Sequence, residues 1–363
     1  MPAPADPLVL GHKLVAVLES GRRTATYKLA VLVTLLDLAV ESVPESPDAS
    51  VDIDLDELTG RVIALYWRQM RPLDGTRLRQ SNDGRGVIFD AVANLRSQTI
   101  THRERAADLF ATRDSSAYLI AHANVKRTLI RYPLKLLQNL TSDDDNERFL
   151  YDDSWMGTDS GKAVANHGNR LTLFPGVCLT LARLAPLLKP AFQLAWIDDV
   201  RRMNKTILDD GPDLAGHLFG ADRVSLQRAG DALVDEFGPL CFYCGTTTTR
   251  IRHIDHVLPW SRVGIDGLAN LVTACRSCNI NKSDRLPAPL HVQRALDRGR
   301  STLDEIGADI NWPSQYDRVV AARHGLYATQ PDSTPIWLGR NNITTFARTD
   351  INWRRPEICN SGL

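Results

Sequence analysis

Between Tyr27 and Val43 the chain places aliphatic residues at Leu29, Leu32, Leu36 and Val40, steps of three and four that predict a buried helix. Pro44 to Asp54, rich in Pro, Ser and Asp, reads as a linker, and Leu55 to Met70 predicts a second helix that Pro72 stops. Arg68, Arg71, Arg77, Arg79 and Arg85 cluster around a Gly-containing loop before another helical pattern at Val87, Ala91, Ala93 and Leu95. Leu109 to Leu140 is again aliphatic and basic, Asp143 to Asp153 predicts an exposed acidic loop, and Arg148 to Leu173 predicts a small sheet. From Gly176 to Leu208 the repeating Leu and Ala positions, with Trp196 and Val200, predict two helices ending near Lys205. Asp209 to Gly216 then supplies a turn and a boundary. Leu226 to Glu236 predicts a helix, and beyond Pro287 a charged helix runs to Ile306, before an irregular tail containing Trp312, Trp337 and Trp353. The pattern divides the chain into a mostly helical region 1–220, a central module 221–290 and a C-terminal extension 291–363.

Composition narrows the class. With 363 residues and 43% hydrophobic content the chain is expected to be globular, with enough apolar material for more than one core. Leu29 to Val40, broken by Thr34 and Asp37, is too short to span a bilayer, and the amino terminus lacks a basic leader followed by an apolar run. No membrane span is expected, and a cytoplasmic location fits. The 43 acidic and 43 basic residues cancel, so any polyanionic partner must be sought locally. Cys241 to Arg285 holds six basic residues against three acidic ones, a mild bias toward a phosphate ligand.

That same segment holds the candidate chemistry. Cys241/Cys244 and Cys275/Cys278 are two Cys-x-x-Cys pairs, suited as four thiolates to a tetrahedral structural Zn²⁺, while Cys178 and Cys359 stand far apart and suggest no disulfide framework. Between the pairs lie Asp255-His256 and then Asn270. Neighbouring residues of a regular strand face opposite sides, so Asp255 and His256 share a site only where the strand bends or ends, and Pro259 is placed to end it. After the second pair Cys278-Asn279-Ile280-Asn281-Lys282 predicts a helix with Asn279, Lys282 and Ser283 on one face. His253, two residues before Asp255, reads as a solvated position, and the arginines from Arg68 to Arg85 as a solvated face or ion pairs rather than a nucleic-acid grip.

This combination of residues resembles an HNH endonuclease of the ββα-metal (His-Me finger) superfamily with a four-cysteine zinc knuckle, over about 45 of the 363 residues. The resemblance implies an α+β chain: a mostly helical amino-terminal region, a ββα-metal module, and a helical or irregular extension. It implies metal-dependent hydrolysis of DNA phosphodiester bonds, with His256 as general base, Asp255 and Asn279 holding a catalytic Mg²⁺ or Mn²⁺, Asn270 holding the loop, and Lys282 and Arg276 as phosphate contacts. Two departures stand out: Trp260 to Gly264 replaces the Gly pair many relatives carry, and Asn279 occupies a place often taken by His, implying a weaker all-oxygen site. Two other readings remain open, a zinc-stapled nucleic-acid-binding module that does not cleave and an RNA-cleaving nuclease. A nuclease of this kind is expected to be gated by DNA modification, a regulatory partner or oligomer assembly, and a bacterial restriction or phage-defence setting is the natural expectation.

Overall fold

Leu29, Leu32, Leu36 and Val40 do share a helix, Tyr27–Glu41 (α2), which follows α1, Pro7–Glu19; yet α2 is closed to solvent along nearly its whole middle rather than on one stripe. A helix apolar all round belongs at the centre of a helical layer. The structure, a computed structural model, describes residues 6–19, 23–82, 86–98, 109, 112–140, 148–157, 161–206, 208, 213–220, 226–248 and 253–351. It comprises two units, Met1–Ser225 and Leu226–Leu363, and the chain is α+β, with mixed helices and small two-stranded sheets.

In the first unit α2 is followed by β1 (Val51–Asp54), α3 (Leu55–Gln69), α4 (Val87–Gln98), α5 (Ser116–Leu129), α6 (Gly161–Asn166), β2 (Arg170–Leu173), α7 (Val177–Met203) and α8 (Leu214–Phe219). Asp54 caps α3 by accepting the Asp56 and Glu57 backbone N–H groups, each at 2.8 Å. Thus the end of the expected linker is a strand and a cap. The expected sheet within Arg148–Leu173 is instead long-range: β2 pairs antiparallel with β1, Val51 opposite Leu173 and Asp54 opposite Arg170. The expected acidic loop is also corrected at its end, because Asp153 is fully buried, its carboxylate 2.8 Å from Arg148; residues 141–147 lie outside those described.

Where two helices were expected, α7 is one helix that packs along α2 and contains Pro186 and Pro190. Each proline costs about 3 kcal/mol in a helix interior. Burying Val177, Leu181, Phe192, Trp196 and Val200 along one side offsets this at about 1.5–3 kcal/mol per large side chain. By length and composition α7 could cross a bilayer, a stretch the reading of Leu29–Val40 overlooked; here it is a core helix, with Lys189 Nζ 2.6 Å from Asp37. Its Trp196 also donates to Gln80 Oε1 at 2.8 Å, in a buried polar knot with Thr26 and Gln69.

The second unit begins with α9 (Gln227–Phe237), then β3 (His253–His256), α10 (Trp260–Val263), a 3₁₀ turn at Leu268–Asn270, β4 (Leu271–Ala274) and α11 (Arg276–Lys282). The charged helix expected after Pro287 is two helices, α12 (Pro289–Leu296) and α13 (Arg300–Asp309), split at Gly299, whose φ of 87° suits glycine. The expected irregular tail is ordered as α14 (Tyr316–Ala328) and a hairpin, β5 (Pro335–Gly339) with β6 (Asn342–Thr345). Trp312 and Trp337 are core residues here, and Trp353 lies outside the described residues. The hairpin is sewn to the central module by Trp337 N donating to Leu286 O at 2.8 Å and Ala288 N donating to Trp337 O at 2.7 Å.

Helix α9 carries Gly230 where a methyl group would meet Ile254 Cδ1 at 2.4 Å and Cγ1 at 2.7 Å. Alanine is better than glycine in a helix by about 1 kcal/mol, but overpacking costs about 1–3 kcal/mol, and here both clashing atoms belong to the strand before Asp255. We therefore expect Gly230→Ala to lower stability by about 1 kcal/mol in denaturant unfolding; a rise would mean that α9 does not pack this closely on β3.

Candidate functional site

Cys241, Cys244, Cys275 and Cys278 converge so that all four sulfurs lie within 4.8 Å of one another, and Cys244 and Cys275 stand 3.8 Å apart. Four sulfurs about 2.3 Å from one tetrahedral Zn²⁺ would stand about 3.8 Å apart, so the donor set and its spacing fit a zinc knuckle. The local turns explain the convergence. Gly245, at φ 72°, lets the first pair fold back so that its N–H bonds Cys241 O at 2.8 Å, and Cys275 caps α11, its sulfur accepting the Cys278 N–H at 3.4 Å. Phe242 N donates to Thr273 O at 2.8 Å, fixing the first pair to β4. Burial acts against the thiolate at Cys244, but hydrogen bonds from Thr246 bring it down to about 6; burial pushes Cys241 and Cys278 up. Four thiolates this close repel one another, which couples loss of their protons to binding of a cation.

Beside the knuckle, β3 and β4 run antiparallel, with Asp255 opposite Val272 and His256 opposite Leu271. Asn270 has no exposure and closes the loop between them: its Oδ1 accepts Leu258 N at 2.8 Å, and its Nδ2 donates to Leu258 O and Ile265 O, both at 3.0 Å. Only a side chain with both donor and acceptor can satisfy these three buried backbone groups. Strand β3 ends at His256, and the two adjacent side chains part. Asp255 Oδ2 accepts Tyr243 Oη–H at 2.6 Å and pairs with Lys282 Nζ at 3.1 Å. Burial first, and then the Asp255 carboxylate, push the Tyr243 phenol well above its ordinary value, so it remains a donor at neutral pH. The imidazole of His256 turns to Asp266, with Nε2 2.8 Å from Oδ1.

Lys282, expected as a phosphate contact, is turned inward. Its side chain has no exposure and its ammonium donates to His256 O at 2.6 Å while facing Asp255. It is an internal cation joining α11 to the end of β3. Asn279, one turn earlier on the same face, is half-buried, and its amide makes no hydrogen bond among the described residues; neither does Asp255 Oδ1. Both are oxygen-bearing groups with capacity left for a hard cation. Arg276 is exposed on the first turn of α11, without an ion pair among the described residues. His253, read as solvated, is half-buried, and its Nε2 has no hydrogen-bond partner among the described residues.

Sequence reasoning missed the groups that hold this module from outside it. Arg298 donates to Leu271 O at 2.9 Å, Leu268 O at 3.0 Å and Ala269 O at 3.1 Å, gripping the turn that carries Asn270. Burial lowers its guanidinium to about 10, which leaves it charged at neutral pH. Arg318 donates to Val263 O at 3.1 Å. Asp266 and Tyr243 were missed as well; only their places, Asp266 between the two cysteine pairs and Tyr243 inside the first, hinted at them. In the first unit, Arg71 donates to His217 O at 2.9 Å and Arg77 lies 4.4 Å from the Phe89 ring centre, so both are engaged internally; Arg85 lies outside the described residues.

Replacing Lys282 by Met would leave the nearly buried Asp255 without its counter-charge. Breaking one side of such a pair costs about 3–5 kcal/mol, so the expected result is a clear fall in thermal midpoint. An unchanged midpoint would show that the pair carries no weight.

A family model described as a domain of unknown function (DUF8808) matches residues 9–211, more than half of the chain. The HNH endonuclease model matches residues 241–285, the segment that contains the four cysteines, β3, β4 and α11. No curated protein and no solved structure matches the chain. The chain therefore belongs to the family of the domain of unknown function DUF8808, and it carries an HNH endonuclease module after that domain.

Proposed function

We propose that the second unit hydrolyses DNA phosphodiester bonds with a single Mg²⁺ or Mn²⁺, and that Zn²⁺ in the four-cysteine knuckle is structural. The observation that carries this reading is the match to HNH endonucleases over the residues where Asp255 Oδ1 and the Asn279 amide keep unused oxygen capacity beside a fixed His256. Asp255 and Asn279 would hold the catalytic cation, which when bound neutralises charge developing on the phosphate and the departing 3′ oxygen. His256 takes the proton of the attacking water, a task for which a neutral imidazole is suited near pH 7. Asn270 keeps the loop after His256 in place through its backbone bonds. Arg276 is the exposed cation for a phosphate contact; the buried ammonium of Lys282 serves the fold instead.

The first unit is proposed to supply recognition, regulation or assembly, in a bacterial restriction or phage-defence setting. An ungated nuclease would injure its own cell, and this unit is the part of the chain with room for a gate. Neither the knuckle nor the imidazole distinguishes DNA from RNA, so substrate competition decides between them.

Plasmid cleavage tests the reading. The full chain with Mg²⁺ or Mn²⁺ is expected to nick or linearise DNA, unmodified or base-modified, with EDTA abolishing activity and His256→Ala lowering it by about 100-fold or more. Cleavage that persists in His256→Ala would overturn the assignment of the base. DNA binding without cleavage of any substrate would favour the non-cleaving module.

A further inference from the structure

We infer that Asp266 is a positioning residue that sets the tautomer and aim of His256, a role that rests on His256 being the base proposed above. The contact is short, 2.8 Å from His256 Nε2 to Asp266 Oδ1, and both side chains are mostly shielded, at 15% and 21% exposure. An ionised carboxylate only accepts, so Nε2 must carry the hydrogen, and in the neutral ring Nδ1 is left as the bare acceptor. Asp266 thus assigns the proton-accepting nitrogen. In the reaction the water oxygen bonds to phosphorus as the P–O3′ bond breaks, the water proton passes to Nδ1, and the 3′ oxygen leaves with its electron pair to be protonated from solvent.

An exposed Asp–His pair would be worth little, but the backbone around Asp266 is fixed on both sides. Ile265 O accepts Asn270 Nδ2 at 3.0 Å, and Asp266 O accepts Trp312 Nε1 at 2.8 Å. Leu268 N donates to Pro313 O and Ala269 N to Ser314 O, each at 3.0 Å. Gly267 lies so close to this segment that a Cβ would stand 2.5 Å from Ser314 O. Trp312 to Ser314 lie beyond the 241–285 match, so the extension aims the base from outside the module.

The test uses the full chain with ¹⁵N-labelled histidine, comparing parent, Asp266→Asn and Asp266→Ala, with thermal unfolding to confirm that each variant folds. Neutral His256 in the parent should show the Nε2–H tautomer, lost or mixed in both variants. In cleavage assays Asp266→Asn should lower kcat by about 100-fold with KM little changed. Added to His256→Ala it should cause no further loss, because Asp266 acts through His256. A parent Nδ1–H tautomer, or losses that multiply in the double variant, would overturn the inference. If the parent cleaves nothing, the nuclease reading fails while the tautomer still decides the positioning role: Nε2–H that vanishes in Asp266→Ala supports it, and an unchanged tautomer refutes it.

Discussion

Two strands of four residues and a helix of seven are too short to hold a shape alone, and what makes them one object is the convergence of Cys241 and Cys244 with Cys275 and Cys278. That convergence joins the start of the module to the start of α11 and closes a long loop between them, a linkage that a bound metal would stabilise. Structural zinc in small domains contributes on the order of 10 kcal/mol, more than any single contact nearby. Everything at the site is referenced to this point: Tyr243, between the first two cysteines, reaches Asp255, and Lys282, four residues after the last cysteine, reaches Asp255 and the His256 carbonyl.

The second layer of control is supplied by the extension. Arg298, Trp312 and Arg318 each donate to main-chain carbonyls of residues 263–271, so the loop geometry that a minimal module would leave to chance is fixed by side chains and backbone arriving from α12 to α14. Trp337 continues the same logic on the other side, donating to Asn281 of α11 at 2.8 Å and meeting the Tyr243 ring edge-on at 4.9 Å. Because β3 ends at His256, its last two side chains take different partners: Asp255 the cationic and phenolic donors, His256 a carboxylate.

Much of this was legible because it is written locally. Paired cysteine spacing, the Asp-His step before Pro259, and the helical repeats of α2, α3 and α4 are patterns within a few residues, and the structure places helices at each of those repeats. What was not legible is long-range. β1 finds β2 more than a hundred residues later, and nothing near Arg148–Leu173 announces that partner. The prolines of α7 signal a break locally, and tertiary burial overrides them. Lys282 looked like a surface cation because lysines usually are; its burial depends on Asp255 and a strand-end carbonyl that meet it only in the fold. The hairpin Pro335–Thr345 looked irregular because its apolar face, at Ile336 and Trp337, is short and its partner residues are Leu286 and Ala288.

The most direct measurement is a crystal structure of the full chain grown with Mn²⁺, with anomalous data collected at the zinc and manganese edges. A zinc peak at the centre of the four sulfurs and a manganese peak against Asp255 Oδ1 and the Asn279 amide are the expected result. Manganese bound elsewhere, with Asp255 still engaged only by Tyr243 and Lys282, or an absence of zinc among the four cysteines, would contradict the two-metal organisation proposed for this unit.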